Sequence, residues 1–200
     1  MEQLAPYNPF IGQHLKTHAG ETTVDRAYIA HYVIPAASAT AAGAANVLAA
    51  TALTTTTKIV TTGITQPPTP RVLSATGSDA GMTGNVVIDG TDAAGVAITD
   101  TIAISGTSTV SGDVAFATVT KITLPAYTTA DTETISVGLA EAFGLPYKLP
   151  YDTVLKIYNN NTATTVASGS AFSTTILAGN YIKPTAALNG KQIDVYLIVS

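Results

Sequence analysis

Val96-Ala97-Ile98-Thr99-Asp100-Thr101-Ile102-Ala103-Ile104 sets an aliphatic side chain at almost every second position, with small or hydroxyl-bearing residues between them. Successive side chains of a strand point to opposite faces, so a period of two predicts a strand with one aliphatic face and one wet face. Asp100 interrupts the aliphatic face, and we read it as the point where the strand meets a sheet edge. Just upstream, Asp89-Gly90-Thr91-Asp92-Ala93-Ala94-Gly95 separates this run from another apolar one at 84–89. That spacing predicts a hairpin loop whose glycines supply positive φ.

The same punctuation continues outward. Runs at 72–76, 114–124 and 134–137 are rich in Val, Ile and Thr, which favour a pleated, half-buried surface, and Gly, Asp and Ser divide them. Further on, 154–158 predicts a strand returning through Asn159-Asn160-Asn161-Thr162, a turn of residues that tolerate left-handed backbone. Weaker strands are expected at 164–167 and 173–177, and the alternation at 193–199 places the last run inside a sheet. Upstream, Thr-rich 54–64 predicts a strand that stops at Gln66-Pro67-Pro68-Thr69-Pro70, where three prolines remove backbone donors. The Ala-rich piece 36–53 fits loop, short helix or extended chain, and 24–34 leans to strand before Pro35. The fold class expected is all-β, an antiparallel β-sandwich of immunoglobulin-like or jelly-roll-like kind. An irregular N-terminal arm (1–34) precedes a sandwich body (35–200) with a subdivision near 140–150.

Composition narrows the function. Charged residues are 11% of the 200-residue chain and aromatics 6%, with no Trp and no Cys. Charged residues average about 25% in globular proteins, and a hydroxyl-rich, charge-poor surface can be covered by a partner without stranding charges in the interface. A net charge of −4 and the lack of any basic run argue against nucleic acid as a partner. No stretch is long and apolar enough for a membrane span, and the first residues carry no basic-then-apolar leader. Without cysteine, stability must come from packing, strand pairing and association.

Candidate chemistry is sparse. His14 and His18 are four apart, a spacing that on a helix would put two imidazoles on one face, and His31 would have to supply a third metal ligand. No Glu follows His14, so surface histidines are the better reading. Asp79, Asp89, Asp92 and Asp100 are carboxylates of the type that calcium takes, but the EF-hand spacing is missing and turn acids fit them. Asn160-Asn161-Thr162 matches a glycosylation acceptor and is equally explained by its turn. We assign no catalytic, cofactor or metal residues. The residues expected to make contacts are bulky groups: Tyr7, Phe10 and Ile11 in the arm, and Leu145, Tyr147, Leu149 and Tyr151 in the Leu145–Tyr151 connection, whose crowding around two prolines suits packing on the core or on an interface.

Several of these runs resemble a class of tailed-bacteriophage virion proteins. The residues that carry the likeness are Gly84-Asn85-Val86-Val87-Ile88-Asp89-Gly90-Thr91-Asp92, then Ile98-Thr99-Asp100-Thr101-Ile102, then Phe116-Ala117-Thr118-Val119-Thr120-Lys121-Ile122-Thr123-Leu124-Pro125. The likeness extends through Ile135-Ser136-Val137-Gly138, Gly144-Leu145-Pro146-Tyr147 and the closing Gly190–Val199 run, covering most of 70–200. It implies a β-sandwich that binds the capsid shell as a decoration or cement subunit. The expected setting is therefore a phage particle, head favoured over tail. The expected partners are the major capsid protein or other virion subunits, with a homo-oligomer, trimer favoured, and no enzyme activity. The alternative is a fibre or tail subunit that binds a host glycan through loops 77–83 and 159–163.

Overall fold

In the computed structural model, residues 27–199 are described in full, together with the backbone of two short strands before them. In chain order the strands are β1 (His14–Thr17), β2 (Gly20–Thr23), β3 (Tyr28–Ile34), β4 (Gly43–Ala52), β5 (Lys58–Val60), β6 (Arg71–Gly77), β7 (Asn85–Thr91) and β8 (Ala97–Ala103). They are followed by β9 (Val110–Phe116), β10 (Thr118–Leu124), β11 (Thr134–Gly144), β12 (Val154–Asn159), β13 (Thr162–Thr164), β14 (Tyr181–Ile182) and β15 (Ile193–Val199). The only helical element among the described residues is a 3-10 turn, Leu177–Gly179. The fold is all-β, with every strand pairing antiparallel.

β1 and β2 form a hairpin, and the other strands make three sheets. The first sheet has the order β5-β10-β7-β8. The central sheet has the order β14-β11-β6-β9, with β4 added to β11 on the side opposite β6. The terminal sheet has the order β13-β12-β15-β3, so residues 28–34 lie beside 193–199 in an unbroken register of seven pairs. The sequence reading placed Tyr28–Ile34 in the arm. They belong instead to the body, because Ala30, Tyr32 and Ile34 turn toward a core while Ile29, His31 and Val33 turn away.

Two main cores result. The first lies between the first and central sheets and is built on Leu73, Ile88, Ile102, Phe116, Ile122 and Ile135. The second lies under the terminal sheet and takes in Ile34, Phe143, Leu145, Leu149, Val195 and Leu197. β11 belongs to both: Ile135, Val137 and Leu139 pack in the first, and Phe143 in the second. Residues 43–144 thus form one unit, and the terminal sheet with its loops forms another on either side of it in sequence, joined to the first where β14 pairs with the end of β11.

Local chemistry explains where the sequence reading and the fold part. The run 114–124 reads as one strand, but the chain crosses between sheets inside it: β9 pairs with β6 and β10 with β7. Ala117 is the pivot, its N–H donating to the Thr91 carbonyl at 2.8 Å. β11 runs on well past Val137 through Gly138, a glycine demanded by packing: a Cβ there would collide with the Gly43 carbonyl of β4. Ala-rich 43–52 is strand for the same reason, since its small side chains allow that approach. Of 54–64 only Lys58–Val60 pairs, and 173–177 is loop. The Asn turn is as expected, with Asn160 at φ 49° and Asn161 at φ 61°.

Candidate interaction surface

β3 and β15 alternate strictly. The inward row of β15 (Ile193, Val195, Leu197, Val199) is buried, and its outward row is Asp194, Tyr196 and Ile198. The register puts Val33 opposite Asp194, His31 opposite Tyr196 and Ile29 opposite Ile198. β12 adds Tyr158 beside Asp194 and Lys156 beside Tyr196. The outer face of the terminal sheet is thus three cross-strand rows, apolar at one end and aromatic in the middle.

The aromatic rings are fixed by contacts with one another, within one row and between adjacent rows. The His31 and Tyr196 rings stack at 4.4 Å with 2° between their planes, and Tyr158 meets Tyr196 edge-on at 6.2 Å. Such ring pairs add about 0.5–1.5 kcal/mol beyond the area they bury. His31 Nε2 lies 2.9 Å from Asp194 Oδ1, and Gln192 Nε2 donates to both Asp194 oxygens at 3.1 and 3.0 Å. Beside this row is an open depression of about 560 Å³ lined by Lys156, Tyr158, Asn161, Gln192, Asp194 and Tyr196. The β12–β13 turn places Asn161 at its rim.

Exposed apolar side chains collect on the same unit. Large hydrophobics that face solvent are Tyr28, Ile29, Val33, Tyr151, Leu155 and Ile176 on the terminal unit, against Ile59 and Val96 on the other. Tyr28, Ile29 and Tyr151 are 61%, 66% and 67% exposed. Of the residues expected from sequence to make contacts, Tyr7, Phe10 and Ile11 lie outside the described residues. Tyr151 is open to solvent, and Tyr147 is half-buried against the second core. Leu145 and Leu149, each 1% exposed, are corrected from contact residues to core. The connection 145–150 folds under the terminal sheet because Leu145 N–H donates to the Asn180 carbonyl at 2.8 Å and Leu149 N–H to Asn180 Oδ1 at 2.9 Å.

The other polar candidates have structural employment. Asp92 Oδ1 accepts from Ala94 and Val96 N–H at 2.9 and 3.0 Å, closing its loop. Asp100 lies at a sheet edge, on β8, and its Oδ2 accepts from Asp113 N–H of β9 at 3.0 Å, strapping the two sheets together. Asp89 takes a hydrogen bond from Thr99 Oγ1 at 2.6 Å and pairs with Lys121 at 2.9 Å, and these partners, Thr99 first, hold its carboxyl below the usual range. Asp79 accepts from Gly81 N–H. His14 sits in β1 and His18 lies outside the described residues. Among the described residues no three His, Asp or Glu side chains converge as metal ligands, and no helix is long and apolar enough to cross a membrane.

Buried charge sits at the junction of the two units. Arg71 is fully buried and donates from Nε and Nη2 to the Ala140 carbonyl, and from Nη1 to the Thr40 carbonyl at 2.8 Å. Burial lowers its pKa to about 10, offset in part by the nearby charge of Glu141. Glu141 in turn accepts from Leu188 N–H at 2.8 Å. This network ties the residues after β3 to the central sheet.

Sequence reasoning missed His31, Tyr158, Asp194 and Tyr196 as a group. Each strand was legible, but the pairing of 28–34 with 193–199 is set by tertiary packing and leaves no local mark. No family model matches the chain, and searches of curated proteins and of solved structures find no match.

Proposed function

We propose that this chain is a non-enzymatic structural subunit of a bacteriophage particle, a head decoration or cement protein that packs against capsid subunits. The observation that supports this reading best is the gathering of exposed apolar residues on one unit: Tyr28, Ile29, Val33, Tyr151, Leu155 and Ile176. Apolar groups gathered on one unit of a charge-poor chain suit a partner that removes them from water. The sequence resemblance supplies the setting. A cement subunit adds interface area to a shell, and a stable contact buries about 1,200–2,000 Å² in total. The test is to add the purified protein to empty phage heads, and to locate it by labelling on purified particles. Saturable binding at regular shell positions is expected, weakened by Tyr151→Ser together with Leu155→Lys. Absence from every assembled particle would overturn the reading.

A second reading, a fibre or tail module that binds host glycans, is favoured by the depression beside Tyr158 and Tyr196. Its lining of aromatic rings and hydrogen-bonding side chains is chemistry that suits a polyhydroxylated ligand. Neither loop 77–83 nor loop 159–163 carries an aromatic residue, whereas the adjoining strand face does. A glycan array probed with the wild-type chain and with Tyr158→Ala decides it: binding lost in the variant supports this reading, and a blank array rejects it.

A further inference from the structure

β3 is an edge strand, and long edges are ordinarily blunted by a lysine, a proline or a bulge. Tyr28-Ile29-Ala30-His31-Tyr32-Val33-Ile34 contains none of these, and its register with β15 has no irregularity. The other edges are guarded. β5 and β13 are three residues each and β14 is two, β8 and β9 are strapped to one another through Asp100, and β4 slips register against β11 at two places while its Val47 carbonyl accepts from Thr65 N–H at 2.8 Å. Among the described residues nothing pairs with the outer side of β3.

Which backbone groups are unused follows from ladder parity. In an antiparallel sheet, alternate residues direct both N–H and C=O to the same neighbour. Ile198 N–H donates to the Thr153 carbonyl at 3.0 Å, and the Gln192 carbonyl accepts from Asn160 N–H at 2.9 Å. The even residues of β15 therefore face β12, and Ile193, Val195, Leu197 and Val199 face β3. Their partners are Ile34, Tyr32, Ala30 and Tyr28. Ile29, His31 and Val33 accordingly aim their N–H and C=O groups away from the sheet.

We propose that two copies of this chain pair antiparallel through β3 about a two-fold axis at His31, fusing two four-stranded sheets into one of eight strands. In that register His31 faces His31, and Ile29 faces Val33 on both sides of the axis. All three outward residues of each strand then bond, giving six main-chain hydrogen bonds. On the outer face the exposed Ile29 and Val33 cover one another. On the inner face Ala30 sits opposite Tyr32, a small side chain beside a ring. The strand bears no Lys, Arg, Asp or Glu, and the two imidazoles that meet at the axis each have an Asp194 carboxylate 2.9 Å away to offset their charge. Sliding two residues toward Pro35 would set Ile29 against a residue with no N–H to give. An edge contact of seven residues is smaller than the standard interface of about 1,200–2,000 Å², so the main-chain bonds carry it and the dimer is concentration-dependent. The pairing stands or falls separately from the virion reading, because it is read on the isolated protein.

The absence of cysteine makes the register testable in the full chain. Residues at a hydrogen-bonded antiparallel pair have Cα atoms about 5.5 Å apart, within disulfide reach. His31→Cys should therefore cross-link to a covalent dimer under mild oxidation. Ile29→Cys alone should not, and a mixture of Ile29→Cys and Val33→Cys chains should. Sedimentation of the unmodified protein should give twice the chain mass at high concentration. Val33→Lys should weaken association roughly tenfold, and adding Ile29→Glu should restore it. A monomer or a trimer at every concentration, or equal cross-linking of Ile29→Cys and His31→Cys, would overturn the proposal.

Discussion

The first core lies between two sheets of regular hairpins, whereas the second lies between one sheet and a set of loops tied to Asn180. In the first, buried side chains are almost all aliphatic, with Phe116 as the large exception, and burial of those side chains between the two sheets holds the unit together. In the second, Asn180 is fully buried and its amide uses its whole hydrogen-bonding capacity. Oδ1 accepts from Leu149 and Ser173 N–H at 2.9 Å each, and Nδ2 donates to the carbonyls of Ser173 and Ile176 at 2.8 Å and of Leu177 at 3.3 Å. One polar side chain there replaces a missing sheet. The sandwich unit needs alternation along the chain, and the terminal unit needs one residue to organise segments distant in sequence.

The largest effect that tests this contrast is Phe116→Ala, which leaves a cavity in the first core and should cost about 3–5 kcal/mol by denaturant unfolding. Native-state hydrogen exchange should then show β6, β7 and β10 losing protection ahead of β12 and β15. Uniform loss across both units would mean that they behave as one cooperative body through β11. Next comes Asn180→Ala, which strands the buried N–H of Leu149 at about 1–3 kcal/mol and also removes the acceptor of the part-buried Ser173 N–H. Faster exchange should appear in 145–150 and 171–182, with β7 and β8 unaffected. A smaller effect, about 1–2 kcal/mol, is expected for Asp100→Ala, which leaves Asp113 N–H without its acceptor. Gly112→Ala should break the same strap, because a Cβ there would collide with Asp100 Oδ2.

The mildest test uses pH. Glu133 accepts from Thr128 and Thr129 N–H at 2.7 Å each and from Ala130 N–H at 3.2 Å, and these bonds, Thr128 first, hold its carboxyl below the usual range. A lowered folded-state pKa favours the ionised form, so the stabilisation is present above the unfolded carboxylate pKa. It is lost as pH falls through the lowered folded value. Urea midpoints measured from neutral to acid pH should therefore fall more steeply for the wild type than for Glu133→Gln. Parallel curves would show that the Glu133 carboxylate adds no pH-dependent stability.

How much was legible in the sequence follows the same division. The first unit reads almost directly, because period-two runs such as 96–104 and turns such as 89–95 are local signals. Where it misleads, at Ala117 and at Gly138, the cause is a contact with a distant strand: a sheet crossing in one case and a close backbone approach in the other. The second unit is half legible. Its strands at 154–158 and 193–199 stand out, but Asn180 looks like any loop asparagine until its five partners are assembled. Leu145 and Leu149 stand out as bulky residues that suit either core or interface, and only the bonds to Asn180 decide for the core. The outer-face row of His31, Tyr196 and Lys156 draws on three separate parts of the chain, and no spacing rule connects them.

The pairing of 28–34 with 193–199 also sets an order of events during synthesis. Residues 43–144 can complete their hairpins as soon as they leave the ribosome, while β3 must wait for β15. At about 5–20 residues per second that wait is on the order of ten seconds, during which an uncapped apolar strand is held beside an already folded body. A cell making this protein in quantity therefore carries a standing population of half-finished chains, and factors that shield nascent strands should raise the yield of the finished one.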